Sequence, residues 1–310
     1  CAQNKLHLAL QAPPFGPPSK RKWGLTALEA GMRGLIPVLP TAPDASHIVA
    51  PQSMYPFLLA ARASSHPLLV VTSSSRSSED LVNELRELYD DVLEFPAWET
   101  LPHERLSPRS DTVARRIQTL YALQKNHSIN PIVVTPVRGA IHRIISNLGS
   151  TPLMKLEIGR EQSLDLLVRH LSSLAYSRTD LVERRGEFAV RGGIVDLFLP
   201  LSHHPIRIDF FGDEIEDLSY FEVADQRTYA PVVGSVEIYP CREMLLTTEV
   251  RHRAIEVKDK YPAAAEMLEK ISEGIAFEGM ESLIPLLIEE TVTLLSRMPA
   301  NTQIIFIDEQ

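Results

Sequence analysis

Residues 66–85 read HPLLVVTSSSRSSEDLVNEL, and the fold turns on what the break inside that stretch means. Leu68 to Thr72 is an uninterrupted β-rich run, the pattern of a strand covered on both faces. Serines follow, and Ser77 with Asp80 three residues later has the S-x-x-D spacing of a helix start. Leu81, Val82, Leu85 and Leu88 then share one helical face. Strand, tight connection and amphipathic helix, in that order, are the repeating unit of a parallel α/β sheet. The connection is also where such proteins hold phosphate, yet it contains neither glycine nor lysine.

The alternation extends outward. MYPFLLAARA (54–63) reads as helix, Val92 to Phe95 as a second strand and Thr112 to Leu123 as a helix. Ile132 to Thr135 is a third buried strand, followed by a helix expected over about Val137–Ile145. Upstream, Trp23 to Leu39 reads as helix plus turn, and residues 47–50 as a short strand. Residues from about 45 to 150 are therefore expected to form a parallel α/β lobe.

Beyond about 150 the period changes. Leu164 to Leu174 is helical, and then EFAVR (187–191), GIVDLF (193–198), IRIDFF (206–211) and EIEDLSYFEV (214–223) alternate with period two. Gly192-Gly193 and Gly212-Asp213 mark tight turns, so an antiparallel sheet is expected here. Helices return from about Thr248 to Arg297, and TQIIFIDEQ closes the sequence as a buried strand.

The totals exclude several classes. With 310 residues, 44% hydrophobic and 23% charged, the chain has the composition of an ordinary globular protein of two or three domains. A net charge of −9 argues against a surface that coats nucleic acid, while leaving room for a local basic patch. Two cysteines, Cys1 and Cys241, give neither a disulfide framework nor a metal spacing, which points to a reducing cytoplasm. No apolar run reaches the roughly 20 residues of a membrane helix. Residues 1–22 carry four lysines or arginines and no acid, and read as a disordered, Pro-rich lead or an untidy fragment start.

A P-loop needs G-x-x-x-x-G-K-[ST], and no such string occurs. At the place where one would fall, IVAPQSMYPFLL (48–59), Pro51 removes an N–H from any phosphate cradle. Asp308-Glu309 after an apolar strand has the form of a magnesium-holding acidic pair but lacks a partner loop. HERLS (103–107) fails the zinc-protease pattern, because position 107 is serine. No catalytic centre and no metal set emerge. What stands out is charge. Arg178, Arg184, Arg185 and Arg191 fall within fourteen residues, and Asp209, Asp213, Glu214, Glu216 and Asp217 follow. Arg191 and Asp209 are expected on neighbouring strands. The face is either solvated with cross-strand ion pairs or a protein-docking surface.

FPAWETLPHERLSPRSDTVARRIQTL (95–120), AYSRTDLVERRGEFAVRGGIVDLFLP (175–200), HPIRIDFFGDEIEDLSYFEVADQRT (204–228) and YPCREMLLT (239–247) are long, specific stretches. They closely resemble the N-terminal region of the bacterial transcription-repair coupling factors (Mfd), which is itself similar to the excision-repair protein UvrB. The resemblance implies a degenerate helicase-like, RecA-like lobe of parallel α/β type, interrupted by an inserted α+β domain with an antiparallel sheet. The expected divisions are a lead at 1–22, lobe at 23–150, insert at 151–245 and returning lobe at 246–310. It further implies that the insert binds UvrA through Arg178, Arg191, Phe198 and Asp209. Two arginine forks would meet partner carboxylates, Phe198 would supply apolar burial, and Asp209 would orient an arginine or meet a cation. The chain would be an adaptor linking stalled RNA polymerase to nucleotide excision repair in the bacterial cytoplasm. The family's polymerase-binding and DNA-translocating parts, with their ATP and magnesium, lie outside it, as do its contacts to double-stranded DNA. The rival reading is a UvrB-like ATPase that loads onto damage, but Trp98 is the only aromatic between Phe95 and Thr112, unlike UvrB's tyrosine-rich hairpin.

Overall fold

The computed structural model describes residues 50–101, 104–125 and 129–307. The Pro-rich lead, the helix expected over 23–39, most of the strand at 47–50, His103 and Asp308-Glu309 lie outside those residues.

In the first lobe, α1 (Tyr55–Ala63) precedes β1 (Leu68–Thr72), α2 (Ser75–Arg86), β2 (Val92–Glu94), α3 (Ser110–Ala122), β3 (Ile132–Pro136), α4 (Val137–Ile141) and β4 (Ile144–Ile145). All five residues of β1 and of β3 are buried, as their unbroken apolar runs require. Leu68, Val70, Ile132 and Val134 pack on α1 and α2, while Leu69, Val71 and Val133 pack on Val113, Ile117 and Leu120 of α3. The serine break resolves into a helix cap. Ser74, in extended backbone, accepts from the Ser77 amide, so the helix starts three residues earlier than the Ser77 spacing indicated. The helix expected to reach Ile145 ends at Ile141, because His142 turns extended and the β-branched pair Ile144-Ile145 joins a small antiparallel ladder.

The insert follows: β5 (Met154–Leu156), α5 (Leu164–Ser173), β6 (Ser177–Arg178), β7 (Glu187–Arg191), β8 (Ile194–Leu197), β9 (Ile206–Phe211), β10 (Glu214–Phe221), β11 (Thr228–Pro231) and β12 (Val236–Ile238). Six strands form one sheet in the order β11-β10-β9-β8-β7-β6, antiparallel throughout except for β6 beside β7. Its inner face, with Phe188, Val195, Leu197, Ile206, Ile208 and Leu218, packs in one core with Leu167 and Leu171 of α5. Strand β12 pairs antiparallel with β5, so the insert ends beside its own beginning.

The chain returns through α6 (Thr248–Lys258), α7 (Ala265–Ser272), α8 (Ile284–Leu287) and β13 (Thr291–Val292) to β14 (Gln303–Ile307). The helical return is broken into short pieces by Pro262 and Pro285 and by left-handed Gly274 and Gly279. Strand β14 lies parallel to β1 and completes a parallel sheet in the order β14-β1-β3-β2. No helix among the described residues is long and apolar enough to cross a membrane.

A buried polar hub joins insert to lobe. Arg116 of α3 is fully buried, and its Nε donates to Glu243 Oε1 at 2.5 Å, while Nη1 donates to the Pro96 carbonyl at 2.9 Å. Trp98 Nε1 donates to the same Glu243 oxygen at 2.9 Å. The Phe95 ring lies 4.1 Å from the guanidinium, and His142 packs edge-on to Trp98. His142 is pushed down to about 4, chiefly by burial and then by Arg116, with Glu243 opposing and Arg138 adding. The unfolded chain takes up that proton near 6.5, so stability is complete above 6.5 and falls as pH drops toward 4. In urea titrations this histidine is expected to remove about 3 kcal/mol over that interval. His142→Gln should flatten that part of the slope.

Candidate protein-docking face

The alternation that buries the inner face of the six-stranded sheet sends every other residue outward. Arg191, Ile194, Asp209 and Asp217 stand in one transverse row, through the pairings Arg191–Ile194, Ile194–Asp209 and Asp209–Asp217. Ala189, Asp196, Arg207 and Ser219 form the next. Arg191 and Asp209 therefore share a face, but not neighbouring strands: β8 lies between β7 and β9.

The ion-pair partner of Arg191 is Asp196, which sequence reading passed over. Its carboxylate is 1% exposed and takes a two-pronged bond from Arg207, Nε to Oδ1 at 2.7 Å and Nη2 to Oδ2 at 3.0 Å. Arg191 Nη2 donates to Oδ2 as well. Arg207 is tied down further, with Nη1 donating to the Gln226 carbonyl and its plane 5.0 Å from the Phe221 ring. The Asp196 bond holds the Arg207 guanidinium above its ordinary value. Two arginines thus share one buried carboxylate, and Arg191, half-exposed, presents its remaining N–H donors outward. The signal was legible after the fact: Asp196 is the one acid in GIVDLF, out of phase with Val195 and Leu197 and across from the arginine of IRIDFF.

The other end of the row is acidic. The Asp209 carboxyl is held above the usual range by partial burial and then by Asp217, with Arg207 pulling it down and Asp196 and Glu216 adding to the rise. A folded value above the unfolded one means that stability falls as pH rises through that window. Asp209→Asn is therefore expected to leave thermal stability at neutral pH unchanged or slightly higher. Calorimetry checks that result.

Phe198 does not stand out of the face. It is 8% exposed and packs with Val182, Ala189 and Phe221 beneath one end of it, the Arg185 guanidinium 5.9 Å above the ring. It supports the surface and offers little area to a partner. Arg178 is exposed on the two-residue edge strand β6. Its register with Phe188, an inner-face residue, separates it from the Arg191–Asp209 row. The structure thus groups Arg191 and Asp209 with Asp196 and Arg207, places Phe198 below them and leaves Arg178 at the sheet edge.

Among the described residues no cluster of His, Cys, Asp or Glu could hold a metal ion. Burial pushes the Cys241 thiol up to about 12, so it stays protonated at neutral pH. The residues before α1 form a short exposed 3₁₀ turn, Gln52–Met54, and Pro56 lies in the first turn of α1.

Residues 154–244 match the family model described as the UvrB interaction domain. Over 284 residues, 86% of its length, the chain is 40% identical to the transcription-repair-coupling factor of Mycobacterium bovis. It is 30% identical over 252 residues to that of Escherichia coli and 28% identical over 267 residues to that of Bacillus subtilis. It covers 23%, 21% and 22% of those three proteins, and so spans less than a quarter of the curated relatives it matches.

Proposed function

Since the chain is a module of the transcription-repair-coupling factor kind, with a UvrB interaction domain at its centre, we propose that the outer face of the six-stranded sheet docks UvrA. The observation that carries this reading is the Asp196–Arg207–Arg191 triad. A fully buried carboxylate fixes two guanidinium groups, one of which remains half-exposed beside a row of acids. A cation already ordered by Asp196 loses little further freedom when a partner carboxylate meets it. Prepositioned arginine next to carboxylate meets a partner surface of reciprocal charge, which raises encounter rate and specificity more than raw affinity.

On this reading the module is an adaptor for nucleotide excision repair in the cytoplasm. Contacts with RNA polymerase and double-stranded DNA, and the ATP and magnesium of a motor, belong to other parts of such a protein. The segment around the start of α1 supports the absence of a P-loop type of phosphate cradle at that point, because Pro51, just before the turn, and Pro56, in the first turn of α1, have no N–H to offer a phosphate.

Titration calorimetry of the chain against UvrA tests the reading. Arg191→Ala is expected to weaken binding about tenfold or more, and Asp209→Asn to weaken it while leaving the fold intact. Adding Arg178→Ala tests whether the sheet edge takes part. Unchanged affinity in Arg191→Ala would place the contact elsewhere.

A further inference from the structure

Net charge hides a local cationic site. Where the loop before α3 meets the turn after α6, Arg105, Lys260, Tyr261, Pro262, Met267 and Ser282, with two alanines, line a cavity of about 560 Å³. No carboxylate is among the lining residues. Arg105 and Lys260 are both exposed, and neither has an ion-pair partner among the described residues. Tyr261 is 44% exposed beside them.

The backbone that presents Arg105 is held hard. Arg105 sits at φ 52°, a left-handed conformation uncommon for a residue with a side chain. Gly279 is so close that a Cβ there would lie 2.5 Å from the Arg105 carbonyl carbon. Two residues on, Ser107 Oγ donates to Glu281 Oε2 at 2.6 Å and accepts from the Gly279 amide at 2.9 Å and from Arg242 Nη1. The Ser107 amide donates to Glu278. A strained main chain, fixed from two sides, thus carries a cation with no ion pair among the described residues. Backbone held in this way is one of the features that cluster at ligand clamps.

We propose that this cavity is a nucleotide subsite, in which a phosphate sits between Arg105 and Lys260 and the attached ring lies against Tyr261. Arginine supplies planar paired donors for the phosphate oxygens and lysine a point charge. The tyrosine gives a flat apolar wall on which any base can stack. A single strand and a free nucleotide share this chemistry, the phosphate with its ring, and the two probes below distinguish them. The site is separate from the sheet face assigned to UvrA and does not depend on that assignment.

The test is fluorescence anisotropy of the whole chain with two probes, a short fluorescein-labelled oligothymidylate and a fluorescent ATP analogue, at low and high salt. Binding that weakens with salt is expected, together with at least a tenfold loss in Arg105→Glu/Lys260→Glu. Tyr261→Ala is expected to lose about fivefold. Binding of the oligonucleotide alone identifies a strand as the source; binding of both identifies the nucleotide unit itself. Thermal melts and UvrA titration of the charge-reversal variant should match the parent protein. No binding of either probe overturns the proposal, as does an affinity indifferent to the double reversal.

Discussion

Glu243→Ala is expected to destabilise the protein by about 3–5 kcal/mol, among the largest effects available to a single side chain here. Arg116 is fully buried, and Glu243 is its only carboxylate partner among the described residues. Without it the guanidinium retains the Pro96 carbonyl and a longer contact of 3.3 Å to His142 Nδ1, neither of which carries a compensating charge. The indole N–H of Trp98 loses its acceptor at the same time. The damage is expected to reach the insert, because Glu243 lies in the segment that leaves β12 and its bond to Arg116 ties that segment to α3. Removing both charges should behave differently. Arg116→Met with Glu243→Leu leaves no orphaned ion, and most of the lost stability should return. Urea unfolding of the two variants against the parent makes the comparison; equal losses would show that the packing of these side chains matters more than their charge.

Gly279→Ala is the second. Alanine at φ 82° carries a conformational penalty of about 1 kcal/mol by itself. The larger effect is steric. The added methyl would fall within 2.6 Å of the carbonyl carbon, Cα and oxygen of Arg105, all of them backbone. Backbone cannot step aside as a side chain does, and this segment is anchored through Ser107 to Glu278, Glu281 and Arg242. A total loss of about 3 kcal/mol or more is expected. Gly274→Ala supplies the control. Its φ is nearly the same, 81°, but the nearest atoms belong to the Arg251 side chain at 3.4 Å. That variant should lose only about 1 kcal/mol. Thermal melts showing equal losses at the two positions would mean that the contact with Arg105 is not the limiting one.

Much of the lobe was legible because its strands declare themselves. Five consecutive buried residues in β1 and in β3 leave no polar phase to confuse with a helix. The insert was legible through period two, and EFAVR and IRIDFF are strands to the residue. Two features escaped. The short ladder of Ile144-Ile145 with Thr291-Val292 depends on a partner almost 150 residues away, which no local pattern reports. The spacing of the docking face escaped for the same reason. Alternation places Arg191 and Asp209 on one side of a sheet, but only register shows β8 between them and Asp196 as the acid that Arg191 meets. Phe198, expected to supply apolar burial, packs with Val182, Ala189 and Phe221 in the small outer core, a placement that period two alone does not report.

The parallel pairing of β14 with β1 has a consequence for synthesis. Leu68 finds its neighbour Gln303 only after some 235 further residues have left the ribosome. Until then one side of β1 is an open ladder of amides and carbonyls, the kind of edge that recruits foreign strands. The insert faces no such delay, since β12 closes on β5 as soon as its own span is complete. Nascent chains should therefore present a finished, protease-resistant middle while the flanking lobe still waits, and the growing polypeptide is most in need of a chaperone in that interval.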